Sequence, residues 1–261
     1  MVDRLIVAIT GSDGFIGNRI FQRLGQPRLE VVGYGRRNSY PDFIERLKKD
    51  EFDVVIHCAG KMFGTDRELN ESNVVLVKDI IKAIPQNSKI HFIQLSTGAV
   101  YGNTIGISSI ESDETIPLGT YGKTKLLAEK EVSNLNCYTI LRLPSVYGLG
   151  NSKGLVYNII NSIRNDVIFK LENGGLARRS FLNVDDLIDV LIMIISKKLC
   201  GIYNVSDSSN YTIAYLTELF ELSITEVQSE NNLNSMVLDN QKIVRHFGKE
   251  FKSVIDFIRE S

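Results

Sequence analysis

Residues 5–20 read LIVAITGSDGFIGNRI, an unbroken apolar run followed by three glycines at intervals of three and then by apolar residues at helical spacing. This order predicts a buried strand that turns directly into a helix. Such a turn lets backbone amides approach a pyrophosphate only where side chains are absent, and the following helix adds N–H donors and the positive end of its dipole. The stretch therefore favours a dinucleotide-binding turn. Its spacing, Gly11-x-x-Gly14-x-x-Gly17, departs from the commoner G-x-G-x-x-G, so a glycine-rich structural turn is the alternative.

The rest of the first half repeats this alternation of short apolar runs and amphipathic runs. Strands are predicted at 5–10, 29–34, 54–58, 90–95 and 138–143, and helices at 15–24, 42–49, 69–84 and 121–132. Parallel strands that are buried on both faces have unbroken apolar sequences, as DVVIHCA and IHFIQLS do. The pattern predicts an α/β fold with a doubly wound, Rossmann-type parallel sheet.

The sequence changes character after Gly148, where polar, glycine-bearing loops separate shorter elements. Helices are predicted at 155–163, 184–196, 213–222, 241–246 and 251–259, with a short strand at 202–205. We expect a dinucleotide-binding domain over 1–149, completed by part of 184–206, and an interleaved, smaller α/β substrate-binding lobe over 150–261. Ligands of such open sheets lie beyond the carboxyl ends of the strands, so the residues that follow strands are the candidates for chemistry.

Composition restricts the class of partner. The 261 residues are 43% hydrophobic and 23% charged, and 30 basic against 31 acidic side chains give a net charge of -1. This balance provides no long-range attraction to nucleic acid or to an anionic membrane. The N-terminal apolar run is too short for a secretory signal, and the longest later one, 187–195, contains Asp189, so we expect a cytoplasmic protein.

The residues that most often bind metals are few and scattered. They are Cys58, Cys137, Cys200, His57, His91 and His246. Their spacing matches no metal-ligand pattern, so no metal site is predicted. The cysteines lie among apolar neighbours and are predicted to be buried free thiols.

The tip of the second predicted strand bears on the choice of cofactor. A carboxylate there binds the ribose hydroxyls of NAD, whereas arginine accommodates the 2′-phosphate of NADP. Residues 31–41 read VVGYGRRNSYP, without an acid, and Arg36 and Arg37 occupy the tip. This favours NADP(H), with NAD(H) as the alternative. Two solvated loop arginines are the simpler explanation.

Two further stretches provide candidate catalytic groups. In YGKTK, Tyr121 and Lys125 are four residues apart and share a face of the predicted helix. In LSTGAVYG, Ser96 and Thr97 directly follow the fourth predicted strand, on the side where a cofactor would lie. The Tyr-Lys spacing occurs easily by chance, so its weight comes from its place in the chain.

Together these residues resemble the extended short-chain dehydrogenases/reductases that act on nucleotide sugars, also called the NAD-dependent epimerase/dehydratase family. Seven motifs occur in the family's order over nearly the whole chain. They are TGSDGFIG, DVVIHCAG, STGAVYG, YGKTK, LRLPSVYG, RRSFLNVDDL and YNVSD. Any one of them would be weak, whereas the ordered set is specific.

The resemblance implies a role for each matching residue. The catalytic set would be Thr97, Tyr121 and Lys125. The cofactor would be bound by Gly11, Gly14, Phe15, Ile16, Gly17, Ala59, Gly60, Asn73, Ser96, Tyr121, Lys125 and Pro144, together with Arg36 and Arg37 at its ribose. Thr97 would contact the substrate, and Arg179 would bind the diphosphate of a sugar nucleotide.

Two departures from the family pattern concern the substrate. Only about fifteen residues separate Arg37 from Asp53, which resembles the 4-keto-6-deoxysugar reductases more than the epimerases and dehydratases. Ser145 stands where the family usually has Asn, and RRS replaces its usual x-R-D.

The expected activity is the reduction of a nucleotide-linked keto-sugar by NADPH. Thr97 would hydrogen-bond the carbonyl oxygen and Tyr121 would protonate it, with the phenol pKa lowered by the positive charge of Lys125. An NAD-dependent nucleotide-sugar 4-epimerase and a non-catalytic NADP-sensing regulator are the alternatives. Relatives often pair through a two-helix face, so a homodimer is also expected.

Overall fold

The computed structural model describes residues 4–35, 40–104, 107–229 and 234–261. The elements of the first half are β1 (Leu5–Thr10), α1 (Phe15–Arg23), β2 (Leu29–Tyr34), α2 (Tyr40–Lys48), β3 (Val54–His57), α3 (Asp66–Asn70), α4 (Leu76–Ala83), β4 (His91–Thr97), α5 (Thr120–Val132) and β5 (Tyr138–Leu143). Those of the second half are β6 (Ser145–Tyr147), α6 (Leu155–Asn165), β7 (Phe169–Glu172), β8 (Arg178–Arg179), β9 (Phe181–Asn183), α7 (Val184–Lys197), β10 (Gly201–Asn204), β11 (Tyr211–Thr212), α8 (Ile213–Leu219), β12 (Ile224–Val227), α9 (Gln241–Phe247) and α10 (Val254–Glu260).

Six parallel strands form the central sheet in the order β10-β5-β4-β3-β1-β2. The chain moves outward from β1 to β2 and then returns to the other side of β1 to form β3. This reversal creates a crevice at the carboxyl ends of β1 and β3, the usual ligand position in such sheets. The α/β prediction is confirmed, and the short link after β2 leaves that strand at the edge.

Alternate residues of each strand enter two separate cores. In β1, Val7 and Ile9 pack in the core shared with α1 and α7, whereas Ala8 packs in the core shared with α2, α4 and α5. Both faces of the sheet are therefore covered, which explains why the strands lack an apolar/polar alternation.

The helix predicted at 69–84 is interrupted in the structure. It begins earlier, at α3, because Thr65 and Glu68 form a capping box. A π-helical segment, Glu71–Val75, then separates α3 from α4. Segments of this kind are frequent at functional sites, and this one contains Asn73, which is buried.

A third core lies in the second half of the chain. It consists of Tyr147, Val156, Ile159, Phe169, Leu171, Phe181, Leu216, Val254 and Ile258. By contrast, β10 leaves this region and pairs with β5 in the central sheet. The division into residues 1–149 and 150–261 stays a prediction.

Two expectations about the surface can be compared with the structure. Over the described ranges, no helix has both the length and the apolar character needed to cross a membrane.

All three cysteines are free thiols, but Cys58 and Cys137 are only partly buried and Cys200 is exposed. The prediction of buried thiols is wrong for Cys200, because this residue lies in the turn before β10 and not inside the strand.

Asp207 is a buried carboxylate just beyond β10. Its Oδ1 accepts hydrogen bonds from the backbone N–H groups of Phe181 and Ser209. Burial nevertheless raises the pKa of Asp207 to about 6. The folded protein therefore binds this proton more tightly than the unfolded chain does, and stability falls as the pH rises from about 4 to about 6.

We predict that Asp207→Asn stabilises the protein at neutral pH by roughly 2 to 3 kcal/mol and has little effect near pH 4. The amide oxygen can still accept both backbone hydrogen bonds, while the buried charge is removed. Thermal unfolding of both proteins from pH 4 to pH 8 measures the difference. Asp79→Asn, at an exposed position of α4, is the control and should show no such pH-dependent gain. An equal effect of Asp207→Asn at every pH would contradict the prediction.

Candidate active site at the carboxyl edge of the sheet

The predicted site residues follow four adjacent strands. Gly11 comes directly after β1, Ala59 lies two residues beyond β3, Thr97 ends β4, and Pro144 follows β5. Since β5, β4, β3 and β1 are neighbours in a parallel sheet, these positions lie along one edge. The topology therefore brings together residues that are far apart in the sequence.

Two of the three opening glycines are required by the chain's own packing. Gly11 has a φ of +70°, and a Cβ there would lie 2.7 Å from the backbone nitrogen of Ala59. A Cβ on Gly17 would lie 2.2 Å from the carbonyl oxygen of Gly11. The turn after β1 thus packs against the segment after β3, and α1 packs directly onto the turn.

Gly14 differs from these two because the fold does not require it. A Cβ there would come no closer than 3.4 Å to any atom of the other described residues outside the adjacent ones, which is an ordinary contact. Gly14 is also the N-cap of α1, where no side chain caps the helix and the first turn holds no acid. The amides of Phe15 and Ile16 therefore suit a phosphate, whereas the amide of Gly14 donates to the carbonyl oxygen of Gly11 at 3.0 Å. A cleft of about 500 Å³ runs beside this turn, bounded on its other side by Leu149, Gly150 and Ser152.

The tip of β2 holds a carboxylate that the sequence reasoning missed. A Cβ on Gly35 would lie 2.2 to 2.4 Å from the carboxylate atoms of Asp13, so this side chain covers the end of β2. Residues 31–41 contain no acid, whereas Asp13 comes from the glycine turn itself. Arg36 and Arg37 lie outside the described residues.

Asn73 positions the segment that follows β3. Its side-chain oxygen accepts a hydrogen bond from the N–H of Lys61, and its Nδ2 donates to the carbonyl of Lys61 and to the hydroxyl of Thr124. It also leaves no space for a side chain at Gly60. Asn73 thereby ties Gly60 and Lys61 to α5, beside the place expected for the cofactor.

Thr97 and Tyr121 meet at the end of β4. The Thr97 hydroxyl accepts a hydrogen bond from the N–H of Ala99, and the Tyr121 side chain lies beside it. Burial raises the pKa of Tyr121 above its ordinary value, and the contact with Thr97 opposes this shift only in part. The expectation of a lowered pKa is therefore wrong for the chain by itself, because removal from water outweighs the polar contacts.

Lys125 lies one turn after Tyr121 and is buried. Its ammonium donates to the carbonyl oxygen of Leu95 at 2.6 Å. Burial lowers the pKa of Lys125 to about 8, opposed by the negative charge of Glu129. The sequence correctly places this cation on the Tyr121 face of α5, but its hydrogen bond goes to the neighbouring strand.

Glu129 continues the same face of α5 and connects it to the sheet. It pairs with Arg142 of β5 through both carboxylate oxygens, with a shortest contact of 2.8 Å, and both side chains are 4% exposed. The hydroxyl of Ser96 also donates to Glu129, at 2.5 Å. Arg142 in turn donates to the phenol oxygen of Tyr101. Ser96 is therefore part of this network, and its predicted contact with the cofactor stays a prediction.

The residue predicted to bind the substrate diphosphate, Arg179, belongs to the second half of the chain. Arg179 is half-buried, and its Nη1 donates to the carbonyls of Arg178 and Asn234. Burial lowers the pKa of Arg179, though not enough to remove its charge. Next to Thr97, a Cβ on Gly98 would lie 3.0 Å from the side chain of Met236. The backbone of Met236 also forms an isolated β-bridge with Arg179. The sequence motifs contain no signal for Met236.

Comparisons with known proteins support a family assignment. The model of the NAD dependent epimerase/dehydratase family matches residues 7–206. The chain is 28% identical to a dTDP-6-deoxy-L-talose 4-dehydrogenase (NAD(P)(+)) of Kitasatospora kifunensis, over 82% of this chain and 77% of that protein. It is 23% identical to a GDP-6-deoxy-D-talose 4-dehydrogenase of Aggregatibacter actinomycetemcomitans, over 94% of this chain and 92% of that protein.

Solved structures share the fold. A dTDP-glucose 4,6-dehydratase from Bacillus anthracis in complex with NAD superimposes with a TM-score of 0.84 and 16% identity, covering 98% of this chain and 96% of that chain. A dTDP-4-dehydrorhamnose reductase from Clostridium acetobutylicum superimposes with a TM-score of 0.81 and 20% identity, covering 98% of this chain and 99% of that chain. Both comparisons extend the resemblance from the sheet to the second half of the chain.

Substitutions at Gly14 and Gly17 should affect different properties, because packing requires Gly17 but not Gly14. Gly14→Ala should fold with nearly unchanged thermal stability but bind a dinucleotide at least about tenfold more weakly, because its methyl group would occupy the phosphate position. Gly17→Ala should instead lose stability, because its Cβ would overlap a backbone carbonyl. Gly25→Ala is the control, because no atom of the described residues beyond its chain neighbours lies within 4 Å of its Cβ. Differential scanning fluorimetry and fluorescence titration with NADPH and NADH measure both properties. Unchanged binding by Gly14→Ala would exclude this turn as the phosphate site.

Proposed function

Because the chain belongs to the NAD-dependent epimerase/dehydratase family, we propose that it is an NADPH-dependent reductase of a nucleotide-linked 4-keto-6-deoxyhexose. The two 6-deoxytalose relatives are named as 4-dehydrogenases, and a 4-dehydrogenase working in reverse reduces a 4-ketone. The short connection between β2 and β3, with only about fifteen residues from Arg37 to Asp53, supports the same branch. The general activity that accommodates all these relatives is NAD(P)-dependent oxidoreduction of a nucleotide sugar.

The observation that carries the proposal is the pair of hydroxyl groups at the end of β4. The Thr97 and Tyr121 side chains lie next to each other at the edge where the glycine turn opens. A ketone oxygen between them would accept a hydrogen bond from each. Since burial raises the pKa of Tyr121, the phenol is protonated at neutral pH and can act as the acid that a reduction needs.

Each group has a separate task in this scheme. The amides of Phe15 and Ile16 would bind the cofactor phosphates, and Asn73 keeps the wall of the crevice after β3 in place. The bound cofactor supplies hydride to the ketone carbon. Tyr121 gives its proton to the ketone oxygen, which Thr97 holds in position. The role of Lys125 as the anchor of the nicotinamide ribose stays a prediction.

Arg179 is proposed to bind the substrate diphosphate. Its two backbone contacts both involve Nη1, and no other described residue hydrogen-bonds its Nε or Nη2. These two nitrogens form the edge of a guanidinium that binds two oxygens of a phosphate at once. The positive charge is half-buried, which strengthens its interaction with an anion.

The direct test is a screen of the purified protein with dTDP-, GDP- and UDP-linked 4-keto-6-deoxyhexoses and both nicotinamide cofactors. We expect one of these sugars to oxidise NADPH, seen as a loss of its near-ultraviolet absorbance. A protein that retains NAD through purification and interconverts sugars without net oxidation would be the epimerase. NADPH binding without turnover of any nucleotide sugar would indicate the regulator.

Tyr121→Phe should lower the turnover number roughly 10²- to 10⁴-fold because it removes the proton donor. The dissociation constant for NADPH should change little, since the ring remains. Tyr138→Phe removes a phenol at the start of β5, at the opposite edge of the sheet, and should retain normal turnover. A normal rate for Tyr121→Phe would exclude this phenol as the acid.

The cofactor preference has a test of its own. If Arg36 and Arg37 bind a 2′-phosphate, replacing both with Ala should raise the KM for NADPH about tenfold or more and leave that for NADH nearly unchanged. Asp13→Asn distinguishes the alternative. If the Asp13 carboxylate binds the ribose hydroxyls of NAD, Asp13→Asn would raise the KM for NADH selectively. The arginine variant would then leave the KM for both cofactors unchanged.

We also propose that the protein is a homodimer and that it is cytoplasmic. The side chains of Val75 and Leu127, on the π-helical segment and on α5, are exposed and apolar, which suits a two-helix contact with a second copy. The molar mass in solution, measured by light scattering, decides between dimer and monomer.

A further inference from the structure

Three potential metal ligands meet at the amino edge of the sheet, opposite the candidate active site. His91 is the first residue of β4, Cys137 immediately precedes β5, and Cys200 immediately precedes β10. These strands are neighbours, and their register pairs Phe92 with Tyr138 and Gly201 with Thr139. The three residues therefore begin adjacent strands at nearly the same level.

Their side chains also converge. The sulfur atoms of Cys137 and Cys200 lie 2.7 Å apart, and one ring nitrogen of His91 lies within 4.8 Å of both. His91 is buried, Cys137 is partly buried and Cys200 is exposed. The group can thus be reached from solvent on the Cys200 side, while His91 is held from within.

The contacts of His91 suit a metal ligand. Its Nε2 lies 2.7 Å from the hydroxyl of Thr139, and that hydroxyl donates its own proton to the carbonyl of Leu199 at 2.5 Å. Nε2 must therefore carry the hydrogen, so Nδ1 has the lone pair. A neutral imidazole whose N–H is fixed by a second partner is the usual form of a metal-bound histidine.

We propose that His91, Cys137 and Cys200 form a binding site for a thiophilic metal ion, with Zn²⁺ as the best match. Two sulfurs and one imidazole nitrogen are a zinc donor set, and water would complete the four-coordinate shell. Binding exchanges two thiol protons for one Zn²⁺, which leaves a neutral site. The ion would join the starts of β4, β5 and β10, and its function would be structural because the candidate catalytic groups lie at the other edge.

The geometry requires one small adjustment. Zn–S bonds of about 2.3 Å place two sulfurs about 3.8 Å apart, so the thiol pair must open before it holds the ion. Cys200 can turn outward because it is exposed.

The sequence prediction of no metal site is revised by this cluster. His91 and Cys137 are 46 residues apart in the chain, and Cys137 and Cys200 are 63 apart. No short ligand motif contains them, since each belongs to a different strand. The inference does not depend on the proposed function.

The experiment is a calorimetric titration of the fully reduced, metal-free protein with Zn²⁺, repeated with Co²⁺ as the spectroscopic probe. We expect one ion per chain, a sulfur-to-cobalt charge-transfer band, and a rise in thermal stability. Cys200→Ser and Cys137→Ser should lose more affinity than the roughly 10- to 100-fold typical for an outer-shell partner. Cys58→Ser, which removes the thiol outside the cluster, should bind normally.

Cys200→Ser is the decisive variant, because Cys200 is exposed and its loss should not prevent folding. His91→Gln is less informative, because it also alters a buried hydrogen bond. Absence of Zn²⁺ binding by the reduced protein, or normal binding by Cys200→Ser, overturns the proposal. A count of reactive thiols in the protein isolated without reductant adds a second criterion. One thiol instead of three, combined with no Zn²⁺ binding after reduction, would identify a redox-active disulfide pair in place of the metal site.

Discussion

The buried ion pair between Glu129 and Arg142 is the interaction on which the candidate site depends. Two charges removed from water are stable only if they are paired and their remaining hydrogen-bonding groups are satisfied. Here Ser96 donates to the carboxylate and Tyr101 accepts from the guanidinium. Loss of one partner from such a pair typically destabilises a protein by about 3 to 5 kcal/mol. The same contacts hold α5 against β4 and β5, and therefore set the distance between Tyr121 and Thr97.

The two edges of the central sheet have different chemistry. At the carboxyl edge, Gly11, Gly14 and Gly17 keep side chains away from backbone amides, and Thr97 and Tyr121 provide hydroxyl groups. At the amino edge, sulfur and imidazole groups gather on three neighbouring strands. Since parallel strands all point the same way, residues that start strands and residues that end them are separated by the full length of the sheet. A site at one edge can change without disturbing the other.

The protonation of Tyr121 shows how local spacing and tertiary burial compete. A lysine four residues away on a helix predicts a lowered phenol pKa, but the ammonium of Lys125 donates to Leu95, and burial raises the pKa of Tyr121. The result favours a proton donor over a proton acceptor. This agrees with the proton-donating role proposed for Tyr121.

The sequence by itself determined the parallel α/β sheet, the bounds of β1, β2 and β5, the glycine turn, and the positions of Thr97 and Tyr121 at strand and helix ends. These follow from local rules, because apolar runs, glycine spacing and helical periodicity act over a few residues. Only the tertiary structure decided that Asp13 covers the tip of β2, that a π-helical segment directs Asn73 to the segment after β3, and that Lys125 faces a carbonyl. It also decided that His91, Cys137 and Cys200 meet. Each of these depends on contacts between strands and helices distant in the chain, and sequence spacing carries no measure of such distances.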